Sequence, residues 1–205
     1  MKSFRRKDGN DEPPAPRRNG ERNFKGEKRS NETHASTTDP DARLAKKSRG
    51  QEAKLGFTGH LFMENRNGLV VDARLTHATG TAEPEAAMDM LGELPATGKK
   101  TVGAHKNYDT AAFVAASRAL GVTPHVAQNI SAHRGSNIDG RTTRHDGYRI
   151  SQVIRKRIEE ANGWVKEVGG MAQTKFRRLD RVGWMFTLKA GAYNLIRLPR
   201  LVVTG

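Results

Sequence analysis

The chain of 205 residues contains no cysteine. Disulfide frameworks, thiolate metal sites and thiol nucleophiles are therefore excluded. No apolar run approaches the roughly 18 residues that a membrane-spanning helix needs. The N-terminus is charged from Lys2 onward and lacks the apolar centre of a signal peptide. Aromatic residues make up 6% of the chain, apolar residues 35%, and the mean hydropathy is −0.74. Those values are low for a chain that packs from end to end. Acidic charge is also scarce: 22 Asp and Glu stand against 36 Lys and Arg, for a net charge of +14. That balance points to an acidic polymer as partner, nucleic acid first, with a plain basic soluble protein as the bland alternative. It also points to a cytoplasmic, nucleoid-associated location. No GxSxG, P-loop or GxGxxG pattern occurs, so nothing supports a hydrolase, an NTPase, a dinucleotide enzyme or a small-molecule substrate. The seven histidines show neither an i, i+4 pair nor HExxH spacing, which argues against a zinc site.

What is present divides the chain. Residues 1–50 are polar, carry Pro13, Pro14 and Pro16, and offer few large apolar residues beyond Phe4, Phe24 and Leu44. Such a segment does not bury enough surface to offset its ordering entropy, so it is expected to be disordered or ordered only against a partner. Its Asn31–Asp41 part is rich in turn formers and is a place where it could touch the domain edge. A domain is expected over 51–200, followed by a tail at 201–205. Apolar runs at 54–65 and 69–78 flank Asn67-Gly68, a strong hairpin signal. A helix is predicted near 83–94 with Thr81 as N-cap, then a strand at 101–105. A second helix is predicted from Asp109, its N-cap, to Leu120, with Gly121 just past its end. A short strand at 123–127 follows, then a basic loop at 129–147 holding His133, Arg134, Arg141, Arg144 and His145. Helices are predicted at 148–168 and, ended by Pro199, at 182–198. The order β-β-α-β-α-β-α-α reads as an α/β fold with a mixed sheet flanked by helices and no strand before the hairpin.

Two places carry candidate chemistry. His105 closes the strand 101–105 at the carboxyl end, where α/β proteins place functional groups. Arg155, Glu159 and Lys166 share one face of the predicted helix by i, i+4 and i, i+7 spacing. A carboxylate between two cations suits phosphate chemistry, the carboxylate toward a divalent metal and the cations toward backbone phosphates. The bland reading is a solvated helix with one Arg–Glu pair. Residues 148–200 hold twelve Lys or Arg against four acidic residues, with Lys175, Arg177, Arg178 and Arg181 beside Phe176 and Trp184. Cations among aromatics suit a nucleic-acid groove, although Trp184 and Phe186 read more simply as core. Asp72, within the strand run Val70–Arg74, is a further carboxylate to place.

These residues fall in a wider pattern. GEKRSNETHASTTDPDARL (26–44), GHLFMENRNGLVVDARLTHATGTAE (59–83), VGAHKNYDTAAFV (102–114), VTPHVAQN (122–129), DGRTTRHDGYRISQVIRKRIEEANGWVK (139–166) and RVGWMFTLKAGAYNLIRL (181–198) together resemble the DDE transposases of bacterial insertion sequences. The resemblance runs from Gly26 to Arg200. It implies a ribonuclease H-like fold, and DNA cleavage and strand transfer by two Mg2+ or Mn2+ ions on three carboxylates. Two such ions clamp the attacking and leaving oxygens of an in-line displacement. It implies DNA partners, both element ends and target, and a homo-oligomer. Position by position, Glu159 is the third carboxylate and metal ligand, and Arg155 and Lys166 accompany it. Lys106, Arg141, Arg144, Arg177 and Arg178 are the further DNA contacts expected. The second carboxylate falls at His105, in a family pattern resembling Ala-Asp-Lys-Gly-Tyr-Asp. Asn107 also stands where that pattern has Gly, and Gln152 where a Tyr precedes the Arg. The first carboxylate lies upstream of the segment resembling Lys2-Ser3-Phe4-Arg5. The expectation is a copy missing its first strand, catalytically impaired but still basic. Three readings remain: an active enzyme completed by another fragment, a non-catalytic DNA-binding remnant, and a basic RNA-associated protein.

Overall fold

A computed structural model describes residues 3–9, 30–46, 50–130 and 135–203. Strands β4 (Lys54–Met63) and β5 (Val70–His77) pair antiparallel, Phe57 opposite His77, as the Asn-Gly signal predicts. Gly68 takes φ +70, a left-handed turn conformation that favours glycine. The Glu64 carboxylate accepts from the backbone N–H groups of Arg66, Asn67 and Leu69 and closes the turn. Helix α1 (Ala82–Gly92) follows, then β6 (Lys100–Ala104), a 3-10 turn at Lys106–Tyr108, α2 (Ala111–Ala119) and β7 (Val122–Val126). β6 and β7 run parallel. The C-terminal part is helical: α3 (Gly140–Thr143), α4 (Asp146–Ile154), α5 (Arg157–Lys166) and α6 (Leu179–Val203).

Within the N-terminal segment, residues 3–9 and 30–46 take a defined structure. β1 (Phe4–Arg6) pairs antiparallel with β2 (His34–Ser36), and β3 (Arg43–Ala45) pairs with residues 54–56 of β4. Strands therefore do precede the hairpin. Residues 1–2, 10–29 and 47–49 lie outside the described residues. Order comes here from polar anchoring more than from apolar area. Phe4 is buried and stacks on His34. The Asn31 amide both donates to the Leu44 carbonyl and accepts from the Leu44 N–H. The Asp39 carboxylate accepts from the backbone N–H of Arg178, and the Asp41 carboxylate from that of Leu179. The turn-rich stretch thus caps the start of α6, whose first N–H groups have no partner within the helix.

The mixed sheet is also corrected. The strands form separate sheets, β3-β4-β5 antiparallel, β6-β7 parallel and β1-β2 antiparallel, with no pairing between β4 and β6. The β3-β4-β5 and β6-β7 sheets each have their own core. Leu61, Val70, Ala161, Val165, Phe186, Ala190 and Tyr193 pack β4 and β5 against α5 and α6. Leu91, Val102, Phe113, Val114, Val122, Val126 and Ile138 pack β6 and β7 against α1 and α2. At Gly59 an added Cβ would sit 2.6 Å from the Phe186 ring, so glycine is what lets α6 lie this close to β4.

Several helices shift. The predicted N-cap Asp109 gives way to Thr110, whose hydroxyl accepts from the Phe113 N–H. The loop 129–147 contains α3; its residues 131–134, with His133 and Arg134, lie outside the described residues. The single helix predicted at 148–168 breaks into α4 and α5 at Arg155 and Lys156, where i→i−3 bonds from Lys156, Ile158 and Glu159 tighten the backbone. Helix α6 starts three residues earlier than predicted and runs through Pro199. Trp184 was expected in the core and is 65% exposed, whereas Phe186 is buried.

Candidate active site

A cavity of about 240 Å³ lies between the two cores. It is bounded by residues 59–62 of β4, by α1, by residues 102–105 at the end of β6, and by the α4–α5 corner. Its polar lining comes from His60, Glu83, His105, Arg155, Glu159 and Asn162. The structure thus brings together His105, Arg155 and Glu159, three residues singled out in the sequence.

His105 sits in extended backbone, φ −80 and ψ 172, where β6 ends. Its Nδ1 accepts from the Asn107 N–H at 3.1 Å. That fixes the tautomer with the proton on Nε2. Nε2 stands 3.7 Å from Glu83 Oε1, a separation longer than a hydrogen bond. The His105 imidazole, with a smaller contribution from His60, holds the Glu83 carboxyl below the usual range against partial burial. Tyr108 packs edge-on against His105, and burial pushes its phenol well above the ordinary value. His60 is buried on β4, bonds Thr76 Oγ1 through Nε2 at 2.8 Å, and burial lowers its pKa. Neither Glu83 nor His60 is marked by a local motif, because they join the site from elements far apart in the chain.

On the facing side, Arg155 closes α4. An added Cβ at Gly103 would stand 3.0 Å from Arg155 Cβ, so glycine in β6 sets the close approach of this corner. Gln152 donates to the His125 carbonyl at 2.7 Å and accepts from Arg155 Nε at 3.0 Å, tying the guanidinium to β7. Glu159 and Asn162, one turn apart on α5, complete the wall.

The remaining predicted residues lie elsewhere. Lys166 is exposed at the last turn of α5 and does not line the cavity. The kink at Arg155 and Lys156 breaks the straight face that the spacing implied. Arg141 pairs with Asp139 at 2.6 Å, and Arg144 is the C-cap of α3. Lys106 is exposed in the 3-10 turn beside His105. Arg177 and Arg178 are exposed ahead of α6, Arg178 with φ 71. Asp72 pairs with Arg74 at 2.8 Å and is not part of the cavity.

A two-metal site needs several hard anionic oxygens converging on one volume. Among the described residues no group of three or more His, Asp or Glu is placed to hold a metal ion. The cavity offers Glu159 and a Glu83 already engaged with His105, together with the cation of Arg155. A neutral imidazole adds no negative charge and favours softer metals. The donor set does not fit a pair of magnesium ions.

No curated protein and no solved structure matches this chain. No helix among the described residues is long and apolar enough to cross a membrane. The family described as "Transposase DDE domain" matches residues 31–195, which takes in every element from β2 to most of α6 and all of the cavity wall. The chain belongs to the DDE-domain transposase family.

Proposed function

We propose that this chain acts in DNA transposition as a basic DNA-binding member of the family whose own side chains do not support metal-dependent strand cleavage. One observation carries this reading. His105 occupies the strand end where a ligand carboxylate is expected, and its ring lies 3.7 Å from Glu83 in the cavity lining. The antiparallel β4–β5 hairpin followed by the parallel β6–β7 pair supports a ribonuclease H-like architecture. The net charge of +14 supports a polyanion as partner. Arg155 at the cavity and exposed Lys106, Arg144, Lys166, Arg177 and Arg178 are the contacts proposed for DNA phosphates. Nucleoid association follows from that affinity. Purified protein is expected to bind duplex DNA without added metal, with affinity falling steeply as salt rises. It is expected to release no 3′ hydroxyl end from DNA carrying the element's termini, with Mg2+ or Mn2+. Metal-dependent cleavage by the unaltered chain would refute the proposal. Preference for RNA in a competition assay would move it to the basic RNA-associated class.

A second reading is favoured by the separation of the sheets. β4 and β6 do not pair, and the cavity lies between them. A strand bearing a carboxylate, supplied by another fragment, would add one ligand there and would still need Asp at position 105. His105→Asp with such a strand fused at the N-terminus is expected to restore cleavage. Cleavage by His105→Asp alone would sink this reading.

A further inference from the structure

Helix α6 is apolar on two opposite faces. Val182, Phe186, Ala190 and Tyr193 are buried against β5 and its neighbours. At 100° per residue the opposite side carries Trp184, Leu188, Gly191, Leu195, Leu198 and Val202. Trp184 is 65% exposed, Leu195 69% and Val202 79%, and the other three are exposed as well. Successive members of this stripe are spaced 4, 3, 4, 3 and 4 residues apart. That is the 3.5-residue repeat of a coiled-coil seam, in which the side chains of one helix enter holes between those of another. The stripe spans about 27 Å at roughly 1.5 Å per residue.

We propose that this face of α6 is the dimer interface between two copies of the chain, packed antiparallel. Two features of the chain favour a second copy as the occupant. The seam is flanked by uncharged Met185, Thr187, Ala192 and Asn194. Two chains that each carry +14 therefore meet here without like charges opposed across the contact. Residues 10–29, the longest stretch outside the described residues, contain one large apolar side chain, Phe24, too little to cover the stripe. A two-fold contact needs only this one surface, because each copy presents the same patch. The orientation follows from Gly191. A parallel pair would set Gly191 against Gly191 and leave a void. The antiparallel register places Gly191 opposite Leu195, Leu188 opposite Leu198 and Trp184 opposite Val202 of the second copy, so all six positions pair.

Sedimentation equilibrium in salt high enough to release nucleic acid tests the inference. The expected mass is twice the 22.6 kDa of one chain. Leu195→Glu and, separately, Trp184→Glu are expected to weaken association by at least about tenfold. Both are expected to keep the circular dichroism spectrum of the parent, since neither side chain belongs to the protomer core. The chain has no cysteine, so introduced thiols report orientation cleanly. Leu188→Cys/Leu198→Cys is expected to form an intermolecular disulfide, and Leu188→Cys alone is not. A monomer at micromolar concentration overturns the proposal, as does a dimer unaffected by either Glu variant. Cross-linking by Leu188→Cys alone overturns the antiparallel register. Stable binding of a different protein to this face with no self-association overturns the choice of occupant.

Discussion

Asp109 is fully buried and holds a segment that comes back to it from 20 and more residues later. Its carboxylate accepts from the Asn129 N–H, the Ser136 hydroxyl, and both the N–H and the amide of Asn137. Burial opposes ionisation, but these donors outweigh it and hold the carboxyl below its usual range. Sequence reasoning placed this residue at the start of α2, where an Asp is common, and Thr110 takes that role. The partners that decide between the two lie in the segment 129–137, which has no periodicity to reveal them. Asp109→Asn keeps the shape but puts amide hydrogens against donors, so a loss of about 3 kcal/mol is expected, read from the urea midpoint. A loss under about 0.5 kcal/mol, typical of a surface change, would show that the network carries little. His105 is the opposite case. Its place at a strand end was legible from Val102–Ala104 and the helical pattern after it. That its ring would face Glu83 was not, because α1 and β6 meet only in the folded chain.

At the scale of elements, the periodic segments behaved as the pattern requires. The hairpin, α1, α2, β6 and β7 fall within a few residues of where alternation, 3.6-residue spacing and turn residues place them. The departures have physical causes. The helix predicted at 148–168 kinks where Arg155 must pack on Gly103. Helix α6 passes Pro199 on an exposed side of the last turns. Its start is set from outside the helix, by Asp39 and Asp41. Carboxylates at a helix N-terminus satisfy orphan N–H groups and complement the macrodipole. Asp41→Asn is expected to cost about 1 kcal/mol. Amide hydrogen exchange should then speed up at residues 178–182 ahead of the rest of α6. Uniform exchange along α6 would assign the helix start to local propensity instead.

For the molecule as a whole, buried histidines set the pH response. Burial lowers the pKa of His60 and of His125, and His145 adds to the effect at His125. The unfolded chain takes up these protons near 6.5 and the native chain only at lower pH. Unfolding therefore gains protons as pH falls through 6.5, and stability drops in that window. Glu83 and Asp109, with lowered native pKa values, add a second loss on further acidification, below their unfolded values. The melting temperature is expected to fall between pH 7.5 and pH 5.5, with a shallower slope in His60→Gln. A flat profile across that range would contradict the burial seen at both histidines. By itself the sequence determined the basic charge, the family, most element positions and the identity of the strand-end residue. These are local or summed properties, readable from spacing and composition. Only the tertiary structure decided that two sheets stay apart around one cavity, that Glu83 and His60 join His105 there, that Lys166 does not, and that Trp184 lies outside the protomer core. Each of those depends on which distant surfaces meet, and periodicity along one chain says which faces are apolar, not what covers them.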